Sequence, residues 1–140
     1  MRFIKSIFLS FTIWVLTALL NAIFSGSWLA LFSIELKNWP TAFLVVLICT
    51  LVFSIPGMFI FWIVLLVRWN KDLLFRSLLQ TGFIISALSS LLLFILPVNE
   101  LKGQQAFLSL FIVIAVITSV MIHHSIIKSI SKNIMTENDA

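Results

Sequence analysis

The sequence predicts an all-α, polytopic membrane protein: four transmembrane helices in an up-down bundle, with both termini in the cytoplasm. Three observations predict it: an apolar excess, long uncharged runs, and a lopsided distribution of Lys and Arg. Of 140 residues, 61% are hydrophobic and only 10% charged, against roughly 45–50% and 25% in soluble domains. A chain this small exposes much of its surface, and so few charges cannot cover that surface. Phe43–Val67 carries no charge, and neither does Ser77–Val98. A helix needs about 20 apolar residues to cross a hydrocarbon core of about 30 Å. Runs such as Leu91–Leu96 lack the in/out alternation of a membrane strand, and a helix satisfies its own backbone hydrogen bonds in lipid. The whole chain reads as one transmembrane domain.

The first helix is expected over about Ser6–Gly26, after the cations Arg2 and Lys5. A basic start followed by an apolar stretch also describes a secretory signal peptide. This stretch is longer than such a segment, holds the bulky Trp14, and is followed by no convincing small-x-small cleavage site. A retained signal anchor is therefore expected. Ser25-Gly26-Ser27 is expected to loosen or end the helix; beyond it, either the first helix runs on, long and tilted, or a short helix from Trp28 lies in the outer interface, the second being the favoured reading. Asn38-Trp39-Pro40 signals a turn and then a helix start, because proline suits the first helical turn.

The second helix is expected over Thr41–Val67, about 40 Å at 1.5 Å per residue and so longer than the hydrocarbon core. Pro56-Gly57 lies in its second half and predicts a kink, since proline removes a backbone hydrogen bond and crowds the preceding turn. The same pair is the candidate hinge. The third helix is expected over Ser77–Leu96, stopped by Pro97, and the fourth over Ala106–Ile127. Beyond His123 the fourth becomes more polar, with Ile126, Ile127, Ile130 and Ile134 near one face, and Met135–Ala140 is a polar tail. Glu35-Leu36-Lys37 and Glu100-Leu101-Lys102 precede similar helix starts, so the two hairpins have the pattern of a tandem duplication.

Orientation follows from the cations. Arg2, Lys5, Arg68, Lys71, Arg76, Lys128 and Lys132 fall on the side holding both termini, and Lys37 and Lys102 on the other, seven against two. The cation-rich side is cytoplasmic by the positive-inside rule. Trp28 and Trp39 then mark the outer interface and Trp69 the inner one, with Trp62 deeper. The outline is that of short bacterial four-helix membrane proteins, which places the chain in a bacterial inner (plasma) membrane; no motif attaches it to a family.

Small and polar residues recur at helical spacing. Ala18, Ala22 and Gly26 repeat every fourth residue, beside Thr17, Asn21 and Ser25. The third helix repeats the pattern with Gly82, Ser86 and Ser90, and Gln80 stands near its start. Helices in lipid gain little from hydrophobicity against one another, so small residues that permit close approach drive their packing. The two faces are expected to meet, inside one bundle or between subunits, with Asn21 and Gln80 adding hydrogen bonds across the contact. The alternative role for the same hydroxyls and amides is to line a polar conduit.

No charged residue falls within the expected hydrocarbon segments, which disfavours proton-coupled pumps and carriers, since those place ionisable groups there. His123-His124 is the one conspicuous titratable cluster. Adjacent helical residues point about 100° apart and so cannot easily share a metal ion, which prefers a spacing of i, i+4. Asp72, in the facing loop, is a candidate partner for either ring. Cys49 lies within a hydrophobic run and reads as a packing residue. No nucleotide loop, nucleophile elbow or paired carboxylate appears, and the basic residues form no run suited to nucleic acid. The expectation is a non-enzymatic bundle without metal or cofactor that binds the bilayer and other membrane proteins, as a homo-oligomer or an accessory subunit. A small uncharged facilitator and an enzyme at the inner surface using His123, His124 and Asp72 are the alternatives.

Overall fold

The computed structural model describes residues 2–33 (Arg2 by its backbone), 37–68, 73–95 and 103–129. These are helical, with no strand among them: α1 Arg2–Phe32, α2 Trp39–Phe53, α3 Ile55–Arg68, α4 Leu74–Ile95 and α5 Gln105–Ile122. Residues 124–129 resume a helical path after α5. Asp72, Trp69, Glu35, Glu100, Ile130, Ile134 and the tail lie outside the described residues, as do most of the two Glu-Leu-Lys segments.

α1, α4 and α5 are each long and apolar enough to cross a membrane. α2 and α3, 15 and 14 residues long, are each short of the roughly 17–25 residues a span needs. Together they qualify, as a pair bent by 52° that is either a broken span or a re-entrant loop. The described residues thus hold three to four candidate membrane spans.

One expectation is corrected. Ser25-Gly26-Ser27 does not end the first helix, which runs unbroken for 31 residues. Glycine and serine weaken helices in water because water and side chains compete for the backbone. Inside α1 two of these hydroxyls have partners on the helix itself: Thr17 Oγ1 donates to the Ile13 carbonyl at 2.8 Å, and Ser25 Oγ donates to Asn21 Oδ1 at 2.9 Å. No separate interfacial helix follows, and Trp28 belongs to the last turns of α1.

α1 lies against α2, α3 and α5, while α4 lies against α3 and α5. Leu9, Ile13, Phe61, Leu65, Leu74, Leu78, Val120 and Ile127 form the main core, toward the end of α1 that begins at Arg2. A smaller cluster of Leu29, Ala42 and Leu108 closes the other end.

The burial pattern is the reverse of a water-soluble globule. Leu31, Ile95, Ile4 and Phe8 are 77%, 72%, 70% and 69% exposed, whereas Ser6, Ser10, Asn21, Ser25, Ser86, Ser119 and His123 are buried. Apolar side chains on every outer face are far more than a soluble monomer exposes. In hydrocarbon the arrangement is favourable, because polar groups find partners only inside.

Candidate functional site

The densest polar structure is a seam along which α1 meets the bent pair. Trp62 Nε1 donates to Ser6 Oγ at 3.2 Å, and Ser10 Oγ donates to the Met58 carbonyl at 3.0 Å. Trp14 Nε1 donates to Ser54 Oγ at 2.7 Å, Asn21 Nδ2 to Thr50 Oγ1 at 2.9 Å, and Trp39 Nε1 to Ser27 Oγ at 2.9 Å. Positions rise along α1 as they fall along α3 and α2, so the helices run antiparallel. Three of these bonds join an indole to a serine hydroxyl, which brings a large apolar body and a satisfied polar tip to one contact.

The bonds continue in short chains. Ser25 donates to Asn21, Asn21 to Thr50, and Thr50 Oγ1 to the Val46 carbonyl at 2.7 Å. Trp14 donates to Ser54, whose hydroxyl donates to the Thr50 carbonyl. Both chains end on main-chain carbonyls of α2, and in a low-dielectric interior successive bonds polarise one another.

Ser54 is the junction of α2 and α3. A serine that bonds back to the carbonyl four residues earlier tends to bend a helix. Pro56 follows two residues later, in the first turn of α3, where its missing N–H costs little. The break therefore falls just before Pro56-Gly57, and Gly57 serves contact: a Cβ there would lie 2.8 Å from Ile85 Cγ2 of α4. A cavity of about 50 Å³ lies inside the bend, lined by Ser10, Trp14, Thr17, Ser54 and Gly57 among others, with room for a few water molecules.

Within the chain the two small-residue faces do not meet. α1 turns its face to α2, with Ala18 and Ala22 fully buried. A Cβ on Gly26 would lie 3.0 Å from Phe43 Cα, so backbone meets backbone there. α4 turns its face to α5 and α3: a Cβ on Gly82 would lie 2.8 Å from Val116 Cγ1 and 3.4 Å from the Phe61 ring. Ser86 Oγ donates to the Phe83 carbonyl at 2.9 Å and Ser90 Oγ to the Ser86 carbonyl at 2.7 Å, so both are satisfied within α4. Gln80 is exposed, on a pocket between α3 and α4, and bonds to nothing across the α1 contact.

At the C-terminal end of α5 the histidines diverge. His123 is buried, and its Nδ1 lies 2.8 Å from the Ser119 carbonyl, which can only accept, so Nδ1 carries the proton. Ser119 Oγ in turn donates to the Ile13 carbonyl at 2.9 Å, tying α5 to α1. His124 is exposed, with its ring edge-on to Phe75 at 4.4 Å. Among the described residues no group of three His, Cys, Asp or Glu is placed to hold a metal.

Sequence reasoning missed the indole-to-serine bonds, because tryptophans in such a chain read first as interface anchors. It also gave no sign of two buried polar atoms, Trp28 Nε1 and Gln104 Oε1, that have no partner among the described residues. Both sit by Phe32, since Trp28 stacks near its ring at 4.3 Å and Gln104 Nε2 donates to its carbonyl at 3.3 Å. No family model matches the chain, and no curated protein or solved structure matches it.

Proposed function

We propose that the chain is a four-span up-down bundle of the bacterial inner membrane, with both ends cytoplasmic and α2–α3 forming one broken span. In this reading it is not an enzyme: it acts by lateral association within the bilayer, as a homo-oligomer or an assembly subunit. One observation carries the association: α2 buries only Ala42 of its 15 residues. It packs mainly on α1 and touches α3 only at the bend. Leu44, Val45, Ile48, Val52 and Phe53 are all exposed, as is Cys49. Leaving aside the contact within the bent pair itself, α2 packs on one helix where each of the others packs on two or more, so α2 is where a further helix fits.

Association also suits the interior. Asn21 bonds to α2 and Ser25 to Asn21, Thr17 bonds within α1, Gln80 faces outward, and Ser86 and Ser90 bond within α4. These groups do not share one lumen, as a facilitator would need. Cys49 is the sole cysteine and a native probe of the α2 face. Cross-linking it in membranes with a short bifunctional maleimide is expected to give a dimer or a defined adduct, matched by native mass in mild detergent. Free monomer alone in both measurements contradicts the proposal.

A further inference from the structure

α3 and α4 flank an open groove, near the Arg68 end of α3, with a volume of about 310 Å³. That is at the lower end of the roughly 300–1,000 Å³ typical of ligand sites. Its composition is divided. Arg68, Ser77 and Gln80 place a guanidinium, a hydroxyl and an amide at one side, while Ile63, Val67 and Ile84 form an apolar wall.

On α4, Ser77, Gln80, Thr81 and Ile84 line the pocket, the i, i+3, i+4, i+7 spacing of one helix face. Thr81 Oγ1 spends its proton on the Ser77 carbonyl at 2.7 Å. The donors left over are those of Arg68, Ser77 and Gln80, and among the described residues none of their side chains is in a hydrogen bond. Three free donors, one of them cationic, beside a hydrocarbon wall match a phosphodiester with an attached acyl chain. A guanidinium binds phosphate oxygens in bidentate fashion, and basic pockets between membrane helices on the cytoplasmic side suit anionic lipid headgroups.

We propose that this pocket binds the phosphate headgroup of an anionic phospholipid of the cytoplasmic leaflet, with one acyl chain lying along Ile63 and Ile84. The leaflet, though not the chemistry, rests on the cytoplasmic placement of Arg68 proposed above.

The test is native mass spectrometry of the full chain in mild detergent, titrated with phosphatidylglycerol or phosphatidylcholine. Phosphatidylglycerol is expected to bind in preference, and Arg68→Gln to weaken it about fivefold or more, the effect of one cation near an anionic surface. Gln80→Leu is expected to weaken it less, and Arg76→Gln, outside the pocket lining, least. Arg68→Lys provides a second variant should Arg68→Gln fail to fold, and is expected to bind in between.

Equal retention of both lipids, or no effect of either Arg68 variant, overturns the proposal. Competition by millimolar inorganic phosphate as effective as by the lipid also overturns it, since the site is then one for a free anion. Lipid binding with the opposite sidedness in a labelling experiment leaves the pocket intact and removes only its leaflet.

Discussion

The indole nitrogen of Trp14 donates to the hydroxyl of Ser54 at 2.7 Å, at the residue where α2 gives way to α3. The contact fixes the bend of the broken pair against the straight α1. Ser54 passes its own proton to the Thr50 carbonyl, so the serine is both acceptor and donor at the break. Polar bonds between membrane helices contribute about 0.6 kcal/mol on average and up to about 1.7. Trp14→Phe and Ser54→Ala are each expected to destabilise by about 1 kcal/mol. A double-mutant cycle from unfolding in mixed micelles should give a coupling of about 0.5–1.5 kcal/mol; additive effects would show that the bond contributes nothing.

Gly26 and Gly82 both allow close approach, but against different neighbours. Gly26 faces the Phe43 backbone, which cannot move without shifting α2, whereas Gly82 faces Val116 Cγ1, on a β-branched side chain that a helix holds to one rotamer. Gly26→Ala and Gly82→Ala are each expected to cost about 1–3 kcal/mol, the range for overpacking. Thermal unfolding in detergent checks both, and an unchanged Gly26→Ala protein contradicts this account of the α1–α2 contact.

Trp28 provides a comparison with Trp14. Its ring stacks on Phe107 at 4.5 Å, but its buried nitrogen has no partner. Trp28→Phe retains an aromatic contact and loses no hydrogen bond, so it is expected to cost less than Trp14→Phe in the same unfolding assay. A larger loss at Trp28 would mean that its nitrogen is engaged by a group outside this chain.

Small residues marked candidate close approaches in the sequence but not what they pack against. Lipid demands long apolar helices, so the spans and the break near Pro56 leave a strong mark in composition. A small residue marks a close approach without an address. Gly26 carries the same signal whether it meets α4 or the Phe43 backbone. The continuity of α1 through Ser25-Gly26-Ser27 was hidden for a related reason: these residues end helices where water competes, and here their hydroxyls have partners inside. His123 stood out in the sequence only as one of a titratable pair; it is 5% exposed, in the turn after which residues 124–129 resume a helical path and Ile127 joins the core.

Asn21 and Gln80 looked alike in sequence and sit in opposite places. Asn21 both donates to Thr50 and accepts from Ser25 in a buried setting, while Gln80 is exposed. Asn21→Leu is expected to lower stability by about 1–2 kcal/mol, from two lost bonds. Gln80→Leu is expected to change it by less than about 0.5 kcal/mol, as surface substitutions do. Equal losses in a denaturant titration would contradict the placement of these side chains.

The proposal of four spans with both ends inside is tested by sidedness. In a Cys49→Ala background, single cysteines at Phe3, Lys37, Leu73, Gly103 and Ser129 can be challenged in intact cells with a membrane-impermeant maleimide. Labelling is predicted at positions 37 and 103, with 3, 73 and 129 reacting only after the membrane is opened. Labelling of 37 and 73 from the same side would make α2–α3 a re-entrant loop, and labelling of 3 and 129 from outside would turn the molecule over.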